Sequence, residues 1–564
     1  MLERYDVVIC GAGLAGLTLA RQLKLAMKEL SVLLLDRQTR PLPAGAFKVG
    51  ESTNEVAAHY FSEVLQLADY LEGNHLRKLG LRYFFGGGRV PFEHRPEFGL
   101  SQFPPVYTYQ LDRGILENDL RMFNLDAGIE VIEGCFVDDI ELSRHQQPHC
   151  VRFLRKGGTL TQSVQGRWVI DAMGRRCFLR KKLGLARKGS GRFSAAWFRI
   201  QGRIDVADFG QPAETSWHDR VPGRNRYYST VHLMGDGYWV WLIPLSSGCT
   251  SIGIVTDERI HHFSQYNTVD RAYRWLEEHE PAVFSEITLK APVDFLLMRN
   301  YSYESTQVLS EQRWACVGEA GFFSDPFYSP GSDQIGFANS LTTEAIRLDM
   351  AGNLTPEIIE HADWFCLSYN EFVTGIIHSG YPFFGNALVM GMKLIWDFAA
   401  GWAFSGPLIF NSLVLNTDRA AEIRKATGSF VSLSSRIQGL FVDWAEKTPN
   451  RASFDFIDYL TIPFLKDLRL RNLKVGKTQG ELIEDHVASI NTMEELAIVL
   501  FTLALEDTMP HLLGSIRQAE WLNAWGISLD PAKWESDRLF FPRSGPRDLG
   551  PIEKQIRGLI QFKQ

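Results

Sequence analysis

A turn of three glycines limits what the first forty residues can form. Tyr5-Asp6-Val7-Val8-Ile9-Cys10 is a short apolar run of strand character, and Gly11-Ala12-Gly13-Leu14-Ala15-Gly16 follows it at once. Leu17-Thr18-Leu19-Ala20 continues with helical spacing, and residues 31–35 read as a second strand that ends at Asp36. Each glycine has its own task. Gly11 permits the tight turn, Gly13 lets a pyrophosphate approach the backbone, and Gly16 lets helix and strand touch. Free amides at the helix start then hold the phosphates. Asp36, twenty residues beyond Gly16, is placed to accept the ribose hydroxyls. A chance glycine turn would account for the spacing, but not for the strand, the helix and the acid around it. The unit predicts an α/β fold that holds a dinucleotide.

Two later strand ends select which dinucleotide. An apolar run from Arg167 ends in Asp171-Ala172-Met173-Gly174-Arg175, and another from Trp314 ends in Gly318-Glu319-Ala320. Between them and the first unit, Gln110-Leu111-Asp112-Arg113 precedes a helical pattern over 115–122. These segments, in this order, resemble the flavin monooxygenases related to the aromatic hydroxylases. That resemblance implies FAD, with Gly11, Gly13, Gly16, Asp36, Arg113, Asp171 and Glu319 as cofactor-binding residues. Glu319 stands where the family usually has Asp, so its carboxylate reaches one methylene further. No second GxGxxG opens a βαβ unit, so FADH2 is expected from a separate NAD(P)H-dependent flavin reductase.

Two motifs narrow the resemblance to the flavin-dependent halogenases, over roughly residues 1–340. Trp239-Val240-Trp241-Leu242-Ile243-Pro244 contains Trp-x-Trp-x-Ile-Pro, and Gly50-Glu51-Ser52 matches an early segment of the same group. On its own the first motif also fits a core strand, because alternating tryptophans pack well on a sheet face. The resemblance implies FADH2- and O2-dependent halogenation of an electron-rich aromatic of phenol, pyrrole or indole type. The substrate is either free or tethered to a carrier protein, halide is a co-substrate, and hypohalous acid is guided to a lysine. Lys78, in Arg77-Lys78-Leu79-Gly80-Leu81-Arg82-Tyr83, matches the family's lysine segment, with Lys48 as second choice. A solvated surface lysine is the competing reading. Glu51 and Asp325 are the candidate catalytic carboxylates, and Trp239, Trp241 and Pro244 are expected to partition flavin from substrate.

The loop Asp325-Pro326-Phe327-Tyr328-Ser329-Pro330-Gly331-Ser332 matches the family's halide loop. Asp-Pro, where the free-tryptophan enzymes carry Glu-Pro, favours the phenol and pyrrole types. Pro330 has no N–H to donate, so Gly331 and Ser332 are the expected halide donors. That substitution keeps two alternatives open: an aromatic hydroxylase, and a catalytically silent flavin-binding partner.

The fold expected is α/β, an FAD-binding Rossmann-type domain with an inserted β-sheet substrate domain and a C-terminal, mostly helical lobe. Residues 1–385 would form the discontinuous core and 386–564 the lobe. With a formal charge of -7, the chain has no broad basic field for nucleic acid. Seven dispersed cysteines without a CxxC pair point to free thiols in a reducing cytoplasm, and to no metal site. The apolar stretch 383–415 is interrupted by Lys393, Asp397 and Pro407, so buried helices are expected there, with a membrane-surface contact as the lesser reading.

Overall fold

The computed structural model describes residues 3–45, 48–144, 147–187, 189, 192–416, 419–519, 521–541 and 548–562. Its first sheet is built on the strand Arg4–Cys10, in which Val7 to Cys10 are fully buried. Parallel neighbours flank it, Val32–Leu35 on one side and Thr161–Asp171 on the other. Glu130–Ile132 and Trp314–Cys316 extend the parallel core outward. Near-continuous apolar strands are what a sheet covered on both faces requires. The helices Leu14–Ala26 and Gly331–Met350 supply one cover. They are joined by polar contacts as well as packing: Asn339 Nδ2 donates to Thr18 Oγ1 at 2.9 Å and to the Ala15 carbonyl at 3.1 Å.

The second sheet has eight strands, in the order Asp294–Met298, Phe193–Gln201, Cys249–Asp257, Tyr238–Pro244, Thr230–Gly235, Leu81–Phe84, Glu97–Gly99 and Phe456–Asp458. Its central strands are buried on both faces, and the two-residue side-chain period sorts them. Trp239 and Trp241 face the main core, whereas Tyr238, Val240 and Leu242 face a separate apolar cluster.

The last strand of this sheet comes from beyond residue 386. Phe456 pairs in parallel with Glu97, so the C-terminal region is stitched into the substrate sheet. The main apolar core runs without a break from Tyr5 to Ile560. Helices Pro356–Gly380, Ala387–Ala400, Ala420–Lys447 and Gln479–Thr508 form the bulk of this region. The last starts on a reciprocal cap between Thr478 and Glu481. Among the described residues two segments, Ala387–Phe410 and Gln479–Thr508, have the length and apolar character of a membrane span. The first is 72% buried inside the protein and encloses the ion pair of Lys393 with Asp397, so it is a core helix of this fold. All seven cysteines are free.

Candidate active site

Two cavities lie side by side and share one wall. The larger, about 540 Å3, opens where the first sheet meets the helix Leu14–Ala26. Gly11 turns there at φ +108°, and a Cβ on it would sit 2.3 Å from the Ala172 carbonyl oxygen. A Cβ on Gly16 would sit 2.0 Å from the Gly11 carbonyl oxygen. Gly13 differs. Its nearest neighbour would be Lys48 Nζ at 3.6 Å, so the backbone at Gly13 faces open cavity. Asp36 lines the same cavity at the end of its strand, accepting from the Gln38 amide at 3.1 Å and from Arg40 at 3.2 Å.

Further along this cavity Arg113 donates to the Val49 carbonyl at 2.7 Å and to Glu117 at 2.7 Å, while its Nε is buried without a partner. An unmatched donor on a cavity wall suits a polar ligand there. Glu319 also lines the cavity, and burial raises its carboxyl above the ordinary range. Lys48 lines it too, bound to Glu117. Asp171 does not. Its carboxylate accepts from the Met173 amide at 3.0 Å and the Leu179 amide at 2.8 Å, and so holds the turn after its strand. Ala172, Met173 and Gly174 present that turn to the cavity instead.

The expected catalytic residues divide between the cavities. Glu51 lines the larger one, locked at 2.7 Å to Arg199, which also holds Asp294. Asp325 lies there as well, accepting from the Tyr381 hydroxyl at 2.8 Å, from Tyr301 and from the Phe327 amide. Burial pushes its carboxyl up to about 6. Lys78 lies on the other side, in the smaller cavity of about 170 Å3. Only 2% exposed, it is no surface lysine, and burial lowers its amine to about 7. Nζ donates to Ser52 Oγ at 2.7 Å and to the Thr53 carbonyl at 2.6 Å. A neutral amine has two N–H bonds, both used here, which leaves one lone pair.

The partition between the cavities differs from expectation. Trp239 and Trp241 line the larger cavity alone, and Pro244 lines neither. Two chain segments form the wall, each showing neighbouring residues to opposite sides. Ser52 and Ser329 face the larger cavity, whereas Thr53, Tyr328 and Pro330 face the smaller. Ser329 Oγ donates to Ser52 Oγ at 3.0 Å, and Thr230 Oγ1 lies 2.8 Å from it. The physical reason is the sheet: Trp239 bonds the Tyr381 hydroxyl at 3.1 Å and Trp241 bonds Ser251 at 3.1 Å, which pins both indoles to the side of the larger cavity.

Pro330 is the N-cap of the helix Gly331–Met350, and its carbonyl accepts from the Gln334 amide at 3.0 Å. The amides of Gly331 and Ser332 come next, and both residues line the larger cavity. As the first amides of the helix they have no acceptor within it. A Cβ on Gly331 would meet nothing within 4 Å. The missing N–H of Pro330 therefore removes no donor from this side.

Sequence reasoning missed what the smaller cavity owes to distant segments. Asp333 faces it, accepts from the Ala57 amide at 2.9 Å, and is pushed up to about 8 by burial. Phe372, Phe398, Trp402 and Phe410 complete an aromatic wall from the C-terminal region, with Asp397 set among them. Helical periodicity makes those positions look like ordinary core, so no local signal marks them.

Residues 4–225 match the FAD binding domain family. The chain is 26% identical over 426 residues to the flavin-dependent halogenase chlA of Dictyostelium discoideum, covering 70% of this chain and 69% of that one. It is 26% identical over 342 residues to the 1H-pyrrole-2-carbonyl-[peptidyl-carrier protein] chlorinase of Pseudomonas fluorescens, covering 58% and 72%. The structure of halogenase PltM in complex with phloroglucinol and FAD superposes with a TM-score of 0.62 at 17% identity, over 91% of this chain and 99% of that one. The glycine cradle, the open Gly13 face and the orphan Arg113 donor fit FAD, and with these relatives they make the chain an FAD-binding enzyme similar to the flavin-dependent halogenases.

Proposed function

We propose that this enzyme halogenates an electron-rich aromatic held in the smaller cavity, with Lys78 guiding the oxidised halogen. FAD, reduced by a separate flavin reductase and bound in the larger cavity, supplies the oxidation of halide by O2. Gly331 and Ser332 offer amides to the halide on that side, and Asp325 stays hydrogen bonded among phenols. The observation that carries the reading is the place of Lys78. Its amine is buried in one cavity yet bonded to Ser52, which lines the other.

A neutral amine so held meets hypohalous acid as it leaves the flavin side, by hydrogen bonding or by forming a haloamine, while the aromatic wall keeps out water. Ring substitution releases one proton. Asp397 already accepts from Lys393, Tyr328 and Gln438, and Asp333 from Asn54 and Ala57. Glu55 lines the cavity with no hydrogen bond or ion pair among the described residues, so its carboxylate is the free acceptor.

The carrier-protein chlorinase and the phloroglucinol complex support a carrier-bound or a free phenol-type substrate. The test is turnover of phloroglucinol with FADH2, O2 and bromide by the wild type and by Lys78→Met. Loss of brominated product with continued flavin oxidation supports the reading. Oxygenated product formed without bromide in both proteins would replace it with a hydroxylase.

A further inference from the structure

We propose that the aromatic substrate carries an anionic oxygen group and that Arg469 receives it in a side pocket of the smaller cavity. This rests on the reading of that cavity as the substrate's.

Arg469 lies on the helix Pro463–Leu473 and is only 9% exposed. Its Nε is buried without a partner, and the guanidinium forms no hydrogen bond and no ion pair among the described residues. Other buried arginines each hold at least one partner, Arg113 through Val49 and Glu117 although its Nε is unmatched. Arg82 and Arg226 share Glu97, Arg95 holds Glu280 at 3.0 Å, and Arg199 holds Glu51 and Asp294. The charges that reach it, those of Glu55 and Tyr459, make no hydrogen bond to it, and a buried donor without an acceptor is costly, so this donor set has a use for an incoming one.

The pocket beside Arg469 shows what that acceptor is. It holds about 20 Å3, and Glu55, Phe398, Trp402 and Tyr459 line both it and the smaller cavity. It is therefore an outlet of the cavity with room for one small group. A guanidinium fork matches a planar carboxylate or a phosphate oxygen pair better than any neutral group. Glu55 is the one carboxylate lining the outlet. It stands beyond ion-pair distance of Arg469, so it opposes an anion without occupying the guanidinium. The ring would lie in the aromatic cavity near Lys78, with its anion directed to Arg469. That anion is either a carboxylate on the ring or the phosphate of a tethering arm.

The test titrates the FAD-loaded protein with four probes: resorcinol, 2,4-dihydroxybenzoate, and the 2,4-dihydroxybenzoyl thioesters of pantetheine and of 4′-phosphopantetheine. Tighter binding of the acid than of resorcinol, by at least about tenfold, supports the proposal if Arg469→Gln removes the difference and Arg469→Lys keeps part of it. A preference for the phosphorylated over the unphosphorylated thioester, lost in Arg469→Gln, assigns the anion to the arm. Glu55→Gln should tighten whichever anion binds, and this readout stands even if Arg469→Gln fails to fold. Equal binding of all four probes, or a preference that survives Arg469→Gln, overturns it. Bromination of resorcinol without an Arg469-dependent preference defeats this proposal and leaves the halogenase reading intact. Arg469-dependent acid binding without bromination of any probe does the reverse.

Discussion

The Lys78 amine donates to the Ser52 hydroxyl across 2.7 Å, and Ser52 lines the flavin cavity while Lys78 lines the other. At this point the wall between the two cavities carries a cluster of hydrogen-bonding hydroxyls, those of Ser52, Ser329 and Thr230. Burial lowers Lys78 to about 7, well below the ordinary lysine value of about 10.5. The amine is neutral above pH 7, so lysine-dependent bromination should rise as pH increases through about 7. In Lys78→Met it should be lost by at least about 100-fold, a loss of transition-state stabilisation near 3 kcal/mol. The sign for stability is opposite. Below pH 7 the unfolded chain binds a proton that the folded chain holds poorly, so Lys78 costs stability most there, and the cost fades toward pH 10.5. Lys78→Met should therefore raise the melting temperature more at pH 6.5 than at pH 9.5. An equal effect at both would refute the depressed amine.

Pro330 caps the helix Gly331–Met350, and the amides that face the flavin cavity belong to Gly331 and Ser332. Pro330→Ala returns an N–H at a position that faces the smaller cavity. Its bromide KM should stay within about twofold of wild type. Gly331→Ala strains nothing in the protein, since its Cβ meets open space, yet it places a methyl where halide would approach. Bromide KM should rise by roughly tenfold or more, with flavin content unchanged. Steady-state bromide titrations of both variants decide the matter.

How much of this was legible in the sequence depends on how local the signal was. Gly11, Gly13, Gly16 and Asp36 form one contiguous unit, and the structure puts Gly11, Gly13 and Asp36 around one cavity, with Gly16 packed behind it against the Gly11 carbonyl. The tryptophans were legible as a sheet face but not as to which cavity they meet, because a period of two fixes a side and not a neighbour. Asp171 shows the opposite failure. Its position at a strand end was read as a contact, whereas its carboxylate is spent on the two amides of the following turn. Arg199 was missed because its partners Glu51 and Asp294 lie far away along the chain. The same holds for Phe398, Trp402 and Arg469, whose role appears only once the C-terminal strand Phe456–Asp458 docks on the second sheet.

The three glycines make separable predictions. Gly11→Ala and Gly16→Ala each drive a methyl into a carbonyl, so both should destabilise the apoprotein by about 2 kcal/mol or more. Gly13→Ala meets no protein atom closer than 3.6 Å. The apoprotein should melt within about 1 °C of wild type while FAD affinity falls by roughly tenfold or more. Thermal melts with and without FAD, together with flavin absorbance of the purified protein, separate a strained turn from a blocked cofactor. Equal melting losses in all three variants would contradict the open face at Gly13.

Arg199 is fully buried between two carboxylates, Glu51 at 2.7 Å and Asp294. Removing one partner of a buried ion pair leaves an uncompensated charge, which costs about 3–5 kcal/mol. Arg199→Met leaves two, and Glu51 then faces the flavin cavity as an unpaired carboxylate. We expect the melting temperature to fall steeply, with part of the loss recovered as pH falls and Glu51, whose carboxyl burial already raises, takes up a proton. Glu51→Gln keeps Arg199 paired to Asp294 and should lose much less. A double-mutant cycle over Glu51 and Arg199, read by denaturant melts, isolates their coupling. A coupling near zero would mean that Arg199 serves Asp294 alone, and that Glu51 is free to act on the flavin side.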